Sequence, residues 1–83
     1  MMMSRDEVYT RLARYLGDMF EVPQEKIRPD ARLYEELDLD SIDALDLVVK
    51  LQELTGRRIS PQEFKTVRTV GDVVDRVSAL LHA

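Results

Sequence analysis

The chain has no cysteine and a single histidine, His82, next to the last residue. Without cysteine there can be no disulfide, no thiolate metal site and no thiol nucleophile from the chain itself. One histidine at the chain end gives no basis for a histidine-dependent catalytic triad or a zinc centre. No apolar run approaches the ~20 residues that a membrane span needs. The opening Met1-Met2-Met3-Ser4-Arg5-Asp6 lacks the apolar stretch of a secretory signal. No repeat or low-complexity tract interrupts the chain. These absences predict a cytoplasmic protein with no membrane span and no thiol chemistry of its own.

What is present is a charged, helical chain. Its 83 residues suit one domain spanning 1–83, near the low end of what folds without a staple. An apolar fraction of 45% supports a compact core, and 34% charged residues give a soluble surface. The net charge of −4 is unevenly spread: residues 1–29 are balanced, residues 30–54 carry eight acids against two bases, and residues 55–83 carry three acids against five. The acidic middle would repel phosphate, which argues against nucleic acid. It suits a protein partner with a basic docking surface.

Capping signals and apolar periodicity divide the chain. Ser4 with Glu7 opens a first helix, along which Val8, Leu12, Leu16 and Phe20 recur at helical spacing. From Glu21 to Asp40 no period is sustained. Pro23 and Pro29 punctuate a long loop that Ile27, Leu33, Leu37 and Leu39 anchor, with a short helical turn expected inside it. A second helix follows and stops at Gly56. Ser60-Pro61-Gln62-Glu63 and Thr69-Val70-Gly71-Asp72 open a short third and a long fourth helix. The expected spans are 4–18, 41–55, 61–66 and 70–82. Leu16, Leu47, Leu51, Ile59, Val73 and Val77 are expected in the core. The fold class is therefore all-α, a small four-helix bundle of three main helices and one short one, with a long loop between the first two.

The segment Leu37–Leu47 is the most informative part of the chain. Asp40 is placed to cap the second helix and Asp43 to close the capping box. Ser41 then falls at the first helical position, where its hydroxyl is not needed by the helix. The helix also has two apolar stripes. Ala44, Leu47, Val48, Leu51 and Leu54 have core spacing. Ile42, Leu45 and Val49 lie on another side, bordered by Asp43, Asp46, Lys50 and Glu53. Leu45 and Val49 read either as part of a helix buried around most of its circumference or as an exposed docking face. Ile42, at the open helix end, reads as docking surface.

Asp40-Ser41-Ile42-Asp43 resembles the Asp-Ser-Leu attachment motif of acyl carrier proteins. Leu33-Tyr34-Glu35-Glu36-Leu37, Gly56-Arg57-Arg58-Ile59-Ser60 and Thr69-Val70-Gly71-Asp72 are similar to the same family, in order along essentially the whole chain. The resemblance implies a carrier whose Ser41 is esterified by 4′-phosphopantetheine from coenzyme A, with Asp40 and Ile42 flanking it. Acyl groups would ride on that arm as thioesters. The implied docking residues are Asp38, Asp40, Ile42, Asp43, Leu45, Asp46, Val49 and Glu53. The implied partners are a phosphopantetheinyl transferase and the ketosynthase, acyltransferase or acyl ligase, ketoreductase and dehydratase of a fatty-acid, polyketide or aryl-polyene pathway. The carrier itself would be non-catalytic and monomeric.

Two positions depart from the family pattern. Asp38 stands where glycine is common, and aspartate is one of the few residues that tolerates the backbone angles glycine permits there. Ile42 replaces leucine, a volume-conserving change. Arg57, Arg58, Lys65, Arg68 and Arg76 make the C-terminal part less acidic than in many carriers.

Other readings fit less well. An EF-hand loop starting at Asp38 fails because Ile42, Asp43 and Val49 fall where a ligand, a glycine and the terminal glutamate belong. Serine catalysis at Ser41 lacks both a histidine base and a glycine elbow. The competing function is an unmodified helical adaptor that binds partners through its acidic second helix.

Overall fold

The computed structural model describes residues 3–82; Met1, Met2 and Ala83, the ends of the expected domain, lie outside the described residues. The first helix, α1, spans Arg5–Phe20. Ser4 Oγ accepts the Glu7 N–H at 3.2 Å, and the Glu7 carboxylate accepts the Ser4 N–H at 3.4 Å, so the expected capping box forms. Val8, Leu12, Ala13 and Leu16 are buried. The helix continues past the expected stop at residue 18 because Phe20 packs on the core. Glu21 ends it in the left-handed region, at φ 58°, returning its N–H to the Gly17 carbonyl at 3.1 Å.

The connection to the second helix is ordered by its anchors. Val22, Ile27, Ala31, Leu33, Leu37 and Leu39 are all buried. The helical turn expected there is a 3-10 turn at Gln24–Lys26. Tyr9 Oη reaches across to donate to the Ile27 carbonyl at 3.1 Å. Backbone bonds then strap the loop to the start of the last helix. Leu33 N–H donates to the Arg68 carbonyl (2.9 Å), Val70 N–H to Ala31 (3.0 Å) and Gly71 N–H to Pro29 (2.8 Å). Among the described residues this strap contains one isolated antiparallel bridge, Arg32 to Thr69, and no strand.

The second helix, α2, spans Ser41–Thr55, as its cap and period predict. Gly56, at φ 67°, is its left-handed terminator. Gln52 Oε1 accepts the Ile59 N–H at 2.8 Å and fixes the exit of the chain. The short third segment, Pro61–Thr66, is a 3-10 helix where the sequence predicts simply a short helix. The last helix, α3, spans Val70–Leu81 and buries Val70, Val73, Val74 and Val77. α1 and α3 form the main packed pair, with α2 and the 3-10 helix closing the bundle. All six residues expected in the core are buried, each no more than 2% exposed.

Candidate functional site

The site is built at the N-terminal end of α2. Asp38 precedes it in the left-handed region at φ 57°, the conformation for which glycine is the usual residue. Asp40 caps the helix: Oδ1 accepts the Asp43 N–H at 2.8 Å, and Asp43 Oδ2 accepts the Asp40 N–H at 3.2 Å. These two carboxylates are thus engaged by the backbone. Ser41, next in the chain, is exposed. Among the described residues its hydroxyl has no hydrogen-bond partner, and neither do the N–H groups of Ser41 and Ile42. An uncapped pair of N–H donors at the positive end of a helix dipole is a favourable place for an anion.

The remaining serines are differently placed. Ser4 and Ser60 are N-caps whose hydroxyls accept backbone N–H groups. Ser78, expected on α3 without acidic neighbours, is buried, and among the described residues its hydroxyl has no partner. Ser41 alone combines exposure with an unused hydroxyl.

The two readings of the second apolar stripe are resolved in favour of exposure. Ile42 is 68% exposed, Leu45 49% and Val49 53%, while Leu47, Val48 and Leu51 of the other stripe are buried. Ala44 and Leu54 are only half-buried, so the core stripe is narrower than its spacing predicts. Asp46 is exposed and Asp43 half-buried. Glu53 is exposed but pairs with Lys50 at 3.7 Å, and the Lys50 ammonium stands 5.7 Å from the centroid of the Tyr15 ring. Asp38 and Asp43 share a separate cavity of about 210 Å³ with Lys26 and Glu36.

Beside Ser41 lies a groove of about 200 Å³ that sequence reasoning missed. Ser41, Ala44, Leu45 and Val48 of α2 face Tyr34 of the loop and Phe64 and Lys65 of the 3-10 helix. Its walls are mostly apolar, with the Ser41 and Tyr34 hydroxyls and the Lys65 ammonium as the polar side-chain groups. Tyr34, a large side chain between the buried Leu33 and the charged Glu35-Glu36 pair and left exposed, was the available signal. Among the described residues there is no cluster of acids or histidines able to hold a metal ion. No helix among the described residues is long and apolar enough to cross a membrane.

Comparison with known proteins bears on this arrangement. A family described as "Phosphopantetheine attachment site" matches residues 10–77. "Acyl carrier protein 2" of Ralstonia nicotianae is 53% identical over 81 residues, covering 98% of this chain and all of the relative. An acyl carrier protein of Acidothermus cellulolyticus is 33% identical over 78 residues, covering 94% and 93% of the two chains. Among solved structures, that of a thermally stable acyl carrier protein from Enterococcus faecalis superposes with a TM-score of 0.77. It shares 26% identity and covers 93% of this chain and 98% of that one.

Proposed function

The chain belongs to the acyl carrier protein family, and on that premise we propose that Ser41 is the residue esterified by 4′-phosphopantetheine. As an acyl carrier protein, it bears acyl groups on this covalent prosthetic group. The arm supplies the thiol that a cysteine-free chain lacks. The observation that carries the assignment is that one serine of four has an exposed hydroxyl unused by the fold. The residues around it fit the group. Asp40 takes over the capping role, so esterifying Ser41 removes no bond from the helix. The unpartnered N–H groups of Ser41 and Ile42 would be available as donors to the phosphodiester, and the apolar groove would offer a place for what the arm carries.

The exposed face of α2 is the proposed docking surface, with Ile42, Leu45 and Val49 as its apolar centre. Asp38, Asp40, Asp43, Asp46 and Glu53 form the acid rim toward basic partner surfaces. Of these, Glu53 contributes least, because Lys50 already offsets its charge. The partners are a phosphopantetheinyl transferase and the ketosynthase, acyltransferase or ligase, ketoreductase and dehydratase of a fatty-acid, polyketide or aryl-polyene pathway. In this reading the chain is a single domain, a cytoplasmic monomer that catalyses nothing itself. Its role is to hold Ser41 open and present the cargo.

Intact mass measurement after incubation with coenzyme A and a broad-specificity transferase separates this from an unmodified adaptor. The wild-type chain is expected to gain one arm and Ser41→Ala none, with both proteins folded by circular dichroism. A wild-type chain that gains nothing favours the adaptor. A Ser41→Ala chain that still gains the arm refutes the assigned position.

A further inference from the structure

Esterification adds a negative charge where the chain is already most acidic. Residues 30–54 hold eight acids and two bases, and both bases are committed. Arg32 pairs with Glu35 at 2.9 Å, and Lys50 pairs with Glu53 while standing over Tyr15. The free N–H groups of Ser41 and Ile42 offer donors to a phosphate but no full charge. Any cation that the protein itself offers to this charge comes from elsewhere in the fold.

Lys65 is such a cation. It projects from the 3-10 helix and lines the same groove as Ser41. Among the described residues no carboxylate lies within ion-pair distance of it. Lys26, the other lysine close to the acids of this end, lines the cavity of Asp38 and Asp43 instead and does not share the groove with Ser41. We propose that Lys65 is the cation that pairs with the phosphodiester linking the arm to Ser41, holding the arm against the groove between α2 and the 3-10 helix.

The proposal rests on the assignment of Ser41. An ammonium and a phosphodiester oxygen form a charge-assisted hydrogen bond, for which lysine serves as a point charge. Leu45, Val48 and Phe64 beside it exclude water from one side of such a pair, while the exposure of Ser41 and Lys65 leaves the other side screened by solvent. Lys65 is thereby a positioning residue: it touches no reacting thioester and acts through the orientation of the arm.

The test uses full-length protein loaded with phosphopantetheine, its mass confirmed before any other measurement. A chain that takes up no arm at Ser41 overturns the serine assignment and this proposal together. With loading confirmed, the ³¹P resonance of the phosphodiester is compared in wild type, Lys65→Gln and Lys65→Arg, and in the urea-unfolded loaded chain. The expected result is that Lys65→Gln removes at least half of the displacement between folded and unfolded resonances, while Lys65→Arg retains it. About 1 M salt, where the screening length falls to about 3 Å, should shift the wild-type resonance in the same direction as Lys65→Gln. The arm-free Lys65→Gln chain should melt at the wild-type temperature, since the side chain is exposed. A resonance identical in wild type and Lys65→Gln overturns the proposal. So does slower arm loading by Lys65→Gln with the resonance unchanged, which would make Lys65 a contact of the transferase.

Discussion

α2 and α3 begin in the same way and are finished differently. Each opens with a cap and a box acid three residues on, Asp40 with Asp43 and Thr69 with Asp72. At the first helical position α3 has Val70, fully buried, whose N–H is taken by the Ala31 carbonyl. α2 has Ser41, exposed, with its N–H unpartnered among the described residues. At the second position α3 has Gly71, bonded to the Pro29 carbonyl, and α2 has Ile42, mostly in water. The local capping code sets where a helix starts. It does not decide whether that start becomes a structural joint or an open platform. The loop does, by strapping one helix start and leaving the other uncovered.

The largest effects should separate the two first positions. Val70→Ala removes two buried methyl groups and is expected to destabilise by about 2 kcal/mol. Ser41→Ala should stay within about 0.5 kcal/mol of wild type, as an exposed change to a good helix former. Urea unfolding of both chains checks the pair, and equal costs would break the comparison.

The second positions should differ next. A Cβ on Gly71 would lie 2.9 Å from the Pro29 carbonyl oxygen, closer than such atoms approach. Gly71→Ala must therefore push the strap away, at a cost of about 1–3 kcal/mol. Ile42→Ala should cost less than about 0.5 kcal/mol, because the side chain is 68% exposed. Amide exchange at Leu33 and Val70 should quicken in Gly71→Ala and not in Ile42→Ala.

A smaller, pH-dependent difference follows from the box acids. The Arg68 N–H chiefly holds the Asp72 carboxyl below its ordinary value; burial, the next effect in size, opposes it and is outweighed with the help of the Thr69 backbone and side chain and the Arg68 charge. A carboxyl lowered by folding stabilises the folded state above its unfolded value of 3.8, and that contribution disappears as pH falls through the lower folded value. Asp72→Asn should accordingly lower the melting temperature at neutral pH and narrow its gap from wild type as the solution is acidified below 3.8. A gap that widens with acidification would contradict the assigned sign.

The smallest free-energy effect concerns the open platform alone. Asp46→Lys should slow association with a ketosynthase several-fold at low salt and leave the melting temperature unchanged. The slowing should fade as the screening length shortens from about 10 Å at 0.1 M toward about 3 Å at 1 M. Unchanged association at low salt would move the docking surface elsewhere.

Much of this was legible in the sequence because caps and apolar stripes are local. Ser4, Asp40, Ser60 and Thr69 each mark a helix start with a partner three residues away, and all four form as the spacing predicts. The left-handed geometry at Asp38 was legible from the residue type that usually stands there. The strap from Pro29, Ala31 and Leu33 to α3 was not, since it is made of backbone groups that carry no side-chain signature. Nor was the groove, whose walls come from three segments distant in sequence. The stripe on α3 marked its valines as core, and the same spacing puts Ser78, four residues after Val74, on that face; its polar side chain masked this, and it is buried beside them. Whether Leu45 and Val49 were core or surface depended on what packs against α2, a tertiary fact that helical spacing leaves open.

The central claim is that the open helix start, rather than any other hydroxyl of the chain, takes the prosthetic group. Trypsin separates the four serines onto four peptides: Ser4 within 1–5, Ser41 within 33–50, Ser60 within 59–65 and Ser78 within 77–83. Digestion of the arm-loaded protein followed by peptide mass measurement therefore reads the position directly. The account predicts the added mass on peptide 33–50 alone, with the other three unmodified; the arm on any of those three would contradict it.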